Sequence, residues 1–367
     1  MLFLENLHNQ RDDILNKPLQ LFLEVTTQCN LRCKKCGKNF DPRRRRVHSI
    51  PFRVLSEIHD YYKGALEVNT FGYGEMFLYK DLSKLVKILK SYDCKLCGIT
   101  NGTMIGEEEV SWLVASCYDE LTFSIDGANA QTMKRLRGAD FDGIIKTLHY
   151  IKEEKQRSLR TVPRIIINFV AQKDNFHELP DLIRILSNLN IFFLGVNTLH
   201  FFSGGSEDSY GKFHHEYSLA NANREDFESI INESRVLAEQ NGIPFQSYIN
   251  PDIEWQRRTT VKSDFTVTNQ VQSKDLALSP FYCFYPWTTL YLSADRSTQV
   301  CCYMFENFGE FSDASDLDAI WYGQGPFAEI RKAIQKGSVH PACKICVDQG
   351  NYKQSHFLVE AVKNQLA

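Results

Sequence analysis

The segment LFLEVTTQCNLRCKKC, residues 21–36, joins an apolar run to three closely spaced cysteines. Its apolar opening, residues 21–25, has the composition of a buried strand. Cys29, Cys33 and Cys36 follow at Cys-x3-Cys-x2-Cys spacing. Three thiolates in one short loop suit a cubane iron–sulfur cluster, because each binds a different iron and the fourth iron stays open to an outside ligand.

Other interpretations of these cysteines stay open at this point. A zinc site needs a fourth ligand, and His48 is the nearby candidate, although Arg43 to Arg46 lie between it and the cysteines. A redox pair and three unrelated structural cysteines are the remaining alternatives.

The composition narrows the class of protein. A net charge of -3 provides no basic field that would attract nucleic acid or an anionic membrane. The N-terminus lacks a basic segment followed by a long apolar one, and no run of about 18 apolar residues occurs. We therefore expect a cytoplasmic protein without a nucleic-acid or membrane partner. Because thiols stay reduced there, 11 cysteines indicate a metal centre.

The chain alternates apolar strands with helices. The predicted strands are residues 21–25, 65–71, 95–100, 120–125, 164–171 and 191–199, and the helices between them are 52–62, 80–91, 107–117, 141–155 and 177–188. Strands this apolar, alternating with helices, indicate parallel strands buried on both faces. The pattern predicts an α/β fold, a partial (β/α)6 TIM-like barrel followed by a small α+β domain.

Changes in composition suggest four segments. Residues 1–19 form an N-terminal extension, and residues 20–249 form the barrel. A polar, irregular linker covers residues 250–280, and the second domain covers residues 281–367.

Functional groups of such barrels gather at the carboxyl ends of the strands. The candidates there are Gly72, Tyr73, Gly74, Glu75, Asn101, Ser124 and Arg137. Each alone is more typical of a plain turn or a solvated helix face than of a functional site. Their order behind the cysteine loop resembles the radical S-adenosylmethionine superfamily, and the resemblance covers residues 20 to about 200.

The resemblance implies a role for each group. The open iron would be chelated by the amino and carboxylate groups of S-adenosylmethionine. The glycine-rich loop before Glu75 would hold the cofactor's amine, and the turn at Asn101 matches the family's third turn. Ser124 would contact the ribose or methionine moiety, and Arg137 would clamp the carboxylate with its fork of donors.

One position departs from the family. The residue before the third cysteine is usually an aromatic residue that packs on the adenine, but here it is Lys35. We expect other groups to cover the adenine, namely Phe40 or the backbone near Val196 and Leu199.

A second set of cysteines lies near the end of the chain. Its members are Cys283, Cys301, Cys343 and Cys346, on a predicted hairpin and a helix. Four thiolates are enough to enclose a cluster with no open iron. This spacing resembles the auxiliary-cluster domains called SPASM and twitch, which implies one auxiliary [4Fe-4S] cluster because residues 347–367 contain no cysteine. A zinc ribbon-like structural site is the alternative.

Cys302 stands directly after one of these ligands. In the related sulfatase-maturing enzymes the matching residue is an aspartate that acts as a base. A thiol at this position would take part in the chemistry, replace Cys301 as a ligand, or fill the core, and we list it as the catalytic candidate.

The resemblance implies an oxidoreductase that forms a 5′-deoxyadenosyl radical and takes a hydrogen atom from a natural product, either a small molecule or a peptide. It would need an external one-electron reductant of the flavodoxin or ferredoxin type. Small substrates are modestly favoured, because residues 1–19 are too short for a peptide-binding module. The alternatives are an epimerase with a cysteine hydrogen-atom donor, a methyl-transfer or carbon–carbon bond-forming enzyme, and a non-catalytic iron–sulfur or zinc-binding protein.

Overall fold

The computed structural model describes residues 14, 16–39, 46–199, 213–214, 216–256, 283–302, 304 and 306–348. The strands are β1 Gln20–Leu23, β2 Glu67–Asn69, β3 Lys95–Thr100, β4 Glu120–Ser124, β5 Arg164–Val170, β6 Ile191–Asn197, β7 Phe245–Ser247, β8 Thr289–Leu292 and β9 Thr298–Gln299. The helices are α1 Phe52–Glu57, α2 His59–Gly64, α3 Leu82–Lys90, α4 Glu107–Ala115, α5 Ala130–Arg137, α6 Phe141–Arg157, α7 Leu179–Leu186, α8 Arg224–Gln240, α9 Pro251–Gln256, α10 Tyr285–Thr288, α11 Ala314–Tyr322, α12 Pro326–Gln335 and α13 Lys344–Asp348. Within these ranges, no helix is long and apolar enough to cross a membrane.

One sheet organises the described part of the chain. Its strand order is β7-β6-β5-β4-β3-β2-β1-β8-β9. Strands β1 to β6 pair in parallel with their neighbours, and helices connect them. The predicted α/β class and the partial (β/α)6 barrel are therefore confirmed, and β7 extends the same parallel sheet beyond β6.

The last third of the chain continues this sheet. Strand β8 lies parallel to β1, with Gln20 opposite Thr289 and Leu23 opposite Leu292. Strand β9 then pairs antiparallel with β8. The predicted hairpin at the start of the second domain is thus hydrogen-bonded directly to the first barrel strand, while the predicted boundary near residue 280 stays a prediction.

The strands of the barrel alternate between two environments. In β3, β4 and β5 every second residue is fully buried and the residues between are half-buried. This alternation arises because successive side chains point to opposite faces of a sheet. Helix α3 shows the matching helical pattern, with Leu82, Leu85, Val86 and Leu89 buried on one face.

Helix α5 was not among the predicted helices. The Asn129 side chain caps its start by accepting the Thr132 N–H at 2.9 Å. Gly138 ends it in the left-handed conformation, with a φ of 73°. The helix places Arg137 in its last turn, where that side chain is buried.

Arg331 joins the helices that follow the hairpin. This side chain is almost fully buried, and its Nε donates to Pro286 O at 2.8 Å while Nη1 donates to Trp321 O at 2.9 Å. The guanidinium also lies 4.8 Å from the centre of the Trp321 ring. A buried cation is tolerated here because carbonyl oxygens and an aromatic face replace its water.

Candidate active site

The cysteine loop lies at the carboxyl end of β1. Burial raises the pKa of the Cys36 thiol, and the nearby Cys33 and Cys29 thiols raise it further. Burial also raises the pKa of Cys29, with a contribution from Cys33. Cys29 and Cys33 therefore act electrostatically on Cys36, and a bound cation would oppose the increase in its pKa.

Within the described ranges, no three Cys, His, Asp or Glu side chains converge as a group able to hold a metal ion. The seven predicted cysteine ligands therefore stay predictions.

Two asparagines attach the cysteine loop to the turn after β3. Asn101 Nδ2 donates to Asn30 Oδ1 at 3.0 Å and lies 3.9 Å from Cys29 Sγ. Asn30 in turn donates to Thr103 Oγ1 at 2.8 Å. The predicted site residue Asn101 thus acts on the loop through its side chain, and Asn30 is a contact that the sequence analysis missed.

The other side of the loop rests on the end of helix α5. The Lys34 N–H donates to Leu136 O at 3.2 Å, and the Cys33 thiol lies 3.6 Å from Arg137 O. These contacts place the cysteines and the Arg137 side chain in the same region of the barrel mouth.

Gly74 brings the loop after β2 against the cysteine loop. A Cβ at this position would lie 2.1 Å from Thr26 O and 2.7 Å from Gln28 O, which no side chain can do. The next residue, Glu75, donates its N–H to Gln28 O at 2.7 Å. The close approach that the structure shows is to the backbone of the cysteine loop, and the predicted approach to the cofactor's amine stays a prediction.

The Glu75 carboxylate is buried and holds the end of β3. Its Oε1 accepts the Thr100 hydroxyl and its Oε2 accepts the Asn101 N–H, both at 2.8 Å. Burial raises the pKa of Glu75, although these hydrogen bonds oppose the increase. Glu75 therefore positions the Asn101 turn, and through it the cysteine loop.

Arg137 belongs to a buried cluster of three charged side chains. Its Nη1 lies 2.7 Å from Asp126 Oδ2, and the Lys35 ammonium lies 2.6 Å from the same oxygen. Burial opposes ionisation of Asp126, but Lys35 and Arg137 lower its pKa to about 2. Burial lowers the pKa of Lys35 to about 8, despite the nearby carboxylate. Arg137 is therefore not on a solvated helix face, which was the alternative weighed from the sequence.

Glu24 connects the barrel with the second cysteine region, and the sequence analysis missed it. Its buried Oε1 accepts the Tyr73 N–H at 2.7 Å, and Oε2 accepts the Ala294 N–H at 3.1 Å. A Cβ at Gly72 would lie 2.3 Å from the Glu24 side chain. An acidic residue at the end of an apolar strand was the signal in the sequence.

The remaining predicted cofactor contacts have mixed surroundings. Ser124 is half-buried at the end of β4. The Val196 carbonyl accepts the Tyr248 N–H at 2.9 Å, and the Leu199 carbonyl lies 3.3 Å from His214 Nε2. These contacts leave the adenine-binding role of Val196 and Leu199 a prediction, and Phe40 lies outside the described residues.

Ion pairs line the amino-terminal ends of the barrel strands. The Lys95 ammonium lies 2.9 Å from Glu120 Oε2 and 3.4 Å from Glu67 Oε2. Arg164 Nη2 lies 2.5 Å from Glu120 Oε1. The charges of Lys95, Arg164 and the two glutamates cancel. At the carboxyl ends, by contrast, two cations share one carboxylate.

Four cysteines of the second set line one cavity. Cys283, Cys301, Cys343 and Cys346 surround it together with apolar side chains such as Val300 and Met304. Burial raises the pKa of Cys343 to about 12, and the Cys283 thiol and Glu306 raise it as well. The four residues line one cavity, but among the described residues no three of them converge as a metal-holding group, so the ligand set stays a prediction.

Cys302 is absent from the residues that line this cavity. Burial raises the pKa of its thiol to about 12, which keeps it protonated near neutral pH. Cys302 still lies near enough to Cys346 to raise the pKa of that thiol, so the choice between Cys301 and Cys302 as a ligand stays a prediction.

Known proteins resemble the chain in both sequence and fold. Residues 23–186 match the family described as the Radical SAM superfamily. Residues 23–186 therefore carry the similarity to this superfamily, and the predicted resemblance is confirmed.

Two curated relatives each match a little under half of this chain. The tungsten-containing aldehyde ferredoxin oxidoreductase cofactor-modifying protein of Pyrococcus furiosus is 28% identical over 187 residues, 49% of this chain and 51% of that protein. Mycofactocin maturase MftC of Mycolicibacterium smegmatis is 32% identical over 172 residues, 45% of this chain and 42% of that protein. The chain thus spans about half the length of the curated relatives it matches.

Similarity of fold extends further along the chain. The crystal structure of Streptococcus suis SuiB bound to the precursor peptide SuiA covers 90% of this chain and 70% of SuiB, with a TM-score of 0.65 and 19% identity. At this identity the likeness concerns the fold. The similarity in fold extends past the barrel, because it covers 90% of the chain, whereas the family match ends at residue 186.

The residues present fit a cluster with bound S-adenosylmethionine. Three thiols share one loop, Arg137 Nε is buried without a hydrogen-bond partner among the described residues, and the buried Lys35 ammonium has none there beyond its ion pair with Asp126. Buried cationic groups of this kind fit an anionic carboxylate.

Proposed function

We propose that this chain is a radical S-adenosylmethionine oxidoreductase that acts on a peptide or another natural product. The observation that carries the proposal is the convergence of the cysteine loop, Glu75 and Arg137 at the carboxyl ends of one parallel sheet. When bound, a cluster on Cys29, Cys33 and Cys36 would supply the electron that cleaves S-adenosylmethionine to the 5′-deoxyadenosyl radical, which takes a hydrogen atom from the substrate.

The protein's own residues orient the reactants. Glu75 and Asn101 fix the cysteine loop, and Arg137 offers a fork of donors to the cofactor's carboxylate. Ser124 lies at the end of β4 for a contact with the ribose or methionine moiety, and the backbone of residues 72–74 would receive the amine.

The second part of the proposal concerns an auxiliary [4Fe-4S] cluster on Cys283, Cys301, Cys343 and Cys346. The shared cavity and its apolar lining support a cluster shielded from water. Such a cluster suits a two-electron oxidation, because it provides an acceptor for the electron left on the substrate.

The proposed substrate class follows from the similar proteins. SuiB was solved with a precursor peptide, and MftC is named a maturase. A peptide is therefore the first candidate to test, while the sequence alone favoured a small molecule. The proposal includes a flavodoxin or ferredoxin as reductant and a cytoplasmic location, where the cysteines stay reduced.

Product analysis tests the oxidation. The enzyme is supplied with a candidate precursor peptide encoded beside its gene, and the reaction is run in D2O. Oxidation predicts a product two mass units lighter with no solvent deuterium at the reacting carbon, and Cys302→Ala retains it. An unchanged mass with one deuterium incorporated would instead indicate epimerisation, and loss of that inversion in Cys302→Ala would identify the hydrogen-atom donor.

A further inference from the structure

Lys35 occupies the position where the family usually has an aromatic residue. In the structure its side chain is 14% exposed and its ammonium lies 2.6 Å from Asp126 Oδ2. Beyond this ion pair, the ammonium has no hydrogen-bond partner in the residues that the structure describes. A lysine buried to this degree normally has its three donors satisfied, so this one has capacity for a further acceptor.

Arg137 shares the same carboxylate and has spare capacity too. Its Nη1 pairs with Asp126 Oδ2 at 2.7 Å. Its buried Nε has no hydrogen-bond partner among the described residues. Asp126 itself is held in place, because its Oδ1 accepts the Val170 N–H at 2.9 Å. Two cations thus share one fixed carboxylate beside the cysteine loop, and both keep a donor that is free to meet a ligand.

Buried cationic donors are costly unless an acceptor meets them. An anionic acceptor suits Lys35 and Arg137 best, because hydrogen bonds between charged groups are the strongest. Adenine is uncharged and does not meet this requirement, and the amino group of S-adenosylmethionine has the wrong sign. The α-carboxylate is the part of the cofactor that fits.

We propose that Lys35 is a positioning residue that binds the carboxylate of S-adenosylmethionine together with Arg137, in place of the adenine contact usual at this position. This inference rests on the proposed function. The chain would recognise the methionine end of its cofactor with two cations held by Asp126.

The test compares two ligands on protein whose clusters have been reconstituted anaerobically. Equilibrium binding of S-adenosylmethionine is measured beside decarboxylated S-adenosylmethionine, which lacks only the carboxylate. Lys35→Met should weaken binding of S-adenosylmethionine by about tenfold or more and leave binding of the decarboxylated compound nearly unchanged. Iron content should stay at the wild-type level, since Asp126 keeps its pair with Arg137 in this variant.

Two further variants make the comparison specific. Lys35→Arg keeps the charge and should retain most of the affinity, and Lys34→Met removes an exposed neighbour and should change neither ligand. If Lys35→Met fails to hold its iron, Lys35→Gln, which keeps a hydrogen-bond donor, is measured in the same way. An equal loss for both ligands, or no loss for either, would overturn the inference.

Failure of the proposed function gives a different result. It shows as a cluster-loaded wild-type protein that binds neither compound, which rejects this inference as well. Failure of the inference alone shows as a wild type that binds S-adenosylmethionine with an affinity that Lys35→Met does not change.

Discussion

The backbone N–H of Asn101 donates a 2.8 Å hydrogen bond to the Glu75 carboxylate. This bond joins the loop after β2 to the turn after β3, and Asn101 passes the connection to Asn30 in the cysteine loop. The position of the cysteines is thus set by two neighbouring strands, which makes Glu75 a residue whose loss reaches the cluster loop.

Glu75→Ala should lower the free energy of unfolding by about 1 to 3 kcal/mol, because it leaves a buried N–H and a buried hydroxyl unpaired. The measurement is urea unfolding of the cluster-free protein. Glu57→Ala removes a half-exposed carboxylate that pairs with the exposed Arg53 and should change little. Equal effects of the two substitutions would contradict the role given to Glu75.

Asp126→Asn should destabilise the protein by about 3 kcal/mol or more, since it leaves the Lys35 and Arg137 charges buried together. Because Asp126 has a folded-state pKa of about 2, below its ordinary value, its contribution is complete at pH 7 and is lost as the pH falls through about 4 towards 2. Unfolding measured at several pH values should show the difference from wild type shrinking in acid. Asp174→Asn, which touches the half-exposed Arg135, is the matched control. A difference independent of pH would argue against an ionised Asp126.

Gly74→Ala should disrupt the contact between the two loops, because its Cβ would meet the Thr26 carbonyl at 2.1 Å and neither group is a flexible side chain. We expect a loss of about 1 to 3 kcal/mol in unfolding free energy, as for other overpacked sites, together with reduced iron binding. Gly325→Ala is the control, since no atom lies within 4 Å of the added Cβ. Normal iron content in Gly74→Ala would show that the loops do not need this approach.

The barrel was predictable from the sequence because its signals are local. The apolar runs that became β3, β4 and β5 lie between helices, and the carboxyl ends of parallel strands meet at one edge whatever the details of packing. That rule alone brought Glu75, Asn101 and Arg137 together. The caps of helix α5, Asn129 and Gly138, were also visible in the sequence, but that helix was not predicted.

Other features depend on contacts between distant parts of the chain. The pairing of β8 with β1 joins Gln20 to Thr289, and no local pattern encodes such a partner. The ion pair of Lys35 with Asp126 is similar, since Asp126-Gly127 has the composition of an ordinary turn and Lys35 was noticed only as a departure from an aromatic residue.

Adjacent cysteines allow a matched test of the auxiliary site. Wild-type protein reconstituted anaerobically should bind about eight irons, from two cubanes. Cys301→Ala should lower the iron content towards about four, because Cys301 lines the cavity of the auxiliary site. Cys302→Ala should keep the iron content of the wild type. The reverse result would identify Cys302 as the ligand. Zinc found in anaerobically purified protein would show that these cysteines form a structural zinc site and not an iron–sulfur cluster.

Cleavage of S-adenosylmethionine is the decisive test of the proposed radical chemistry. Cluster-loaded wild-type protein, given S-adenosylmethionine and a low-potential reductant without oxygen, should form 5′-deoxyadenosine, measured by chromatography and mass spectrometry. The variant with alanine at Cys29, Cys33 and Cys36 should keep about four irons and form none. Absence of 5′-deoxyadenosine from wild-type protein that holds both clusters and binds the cofactor would contradict the account.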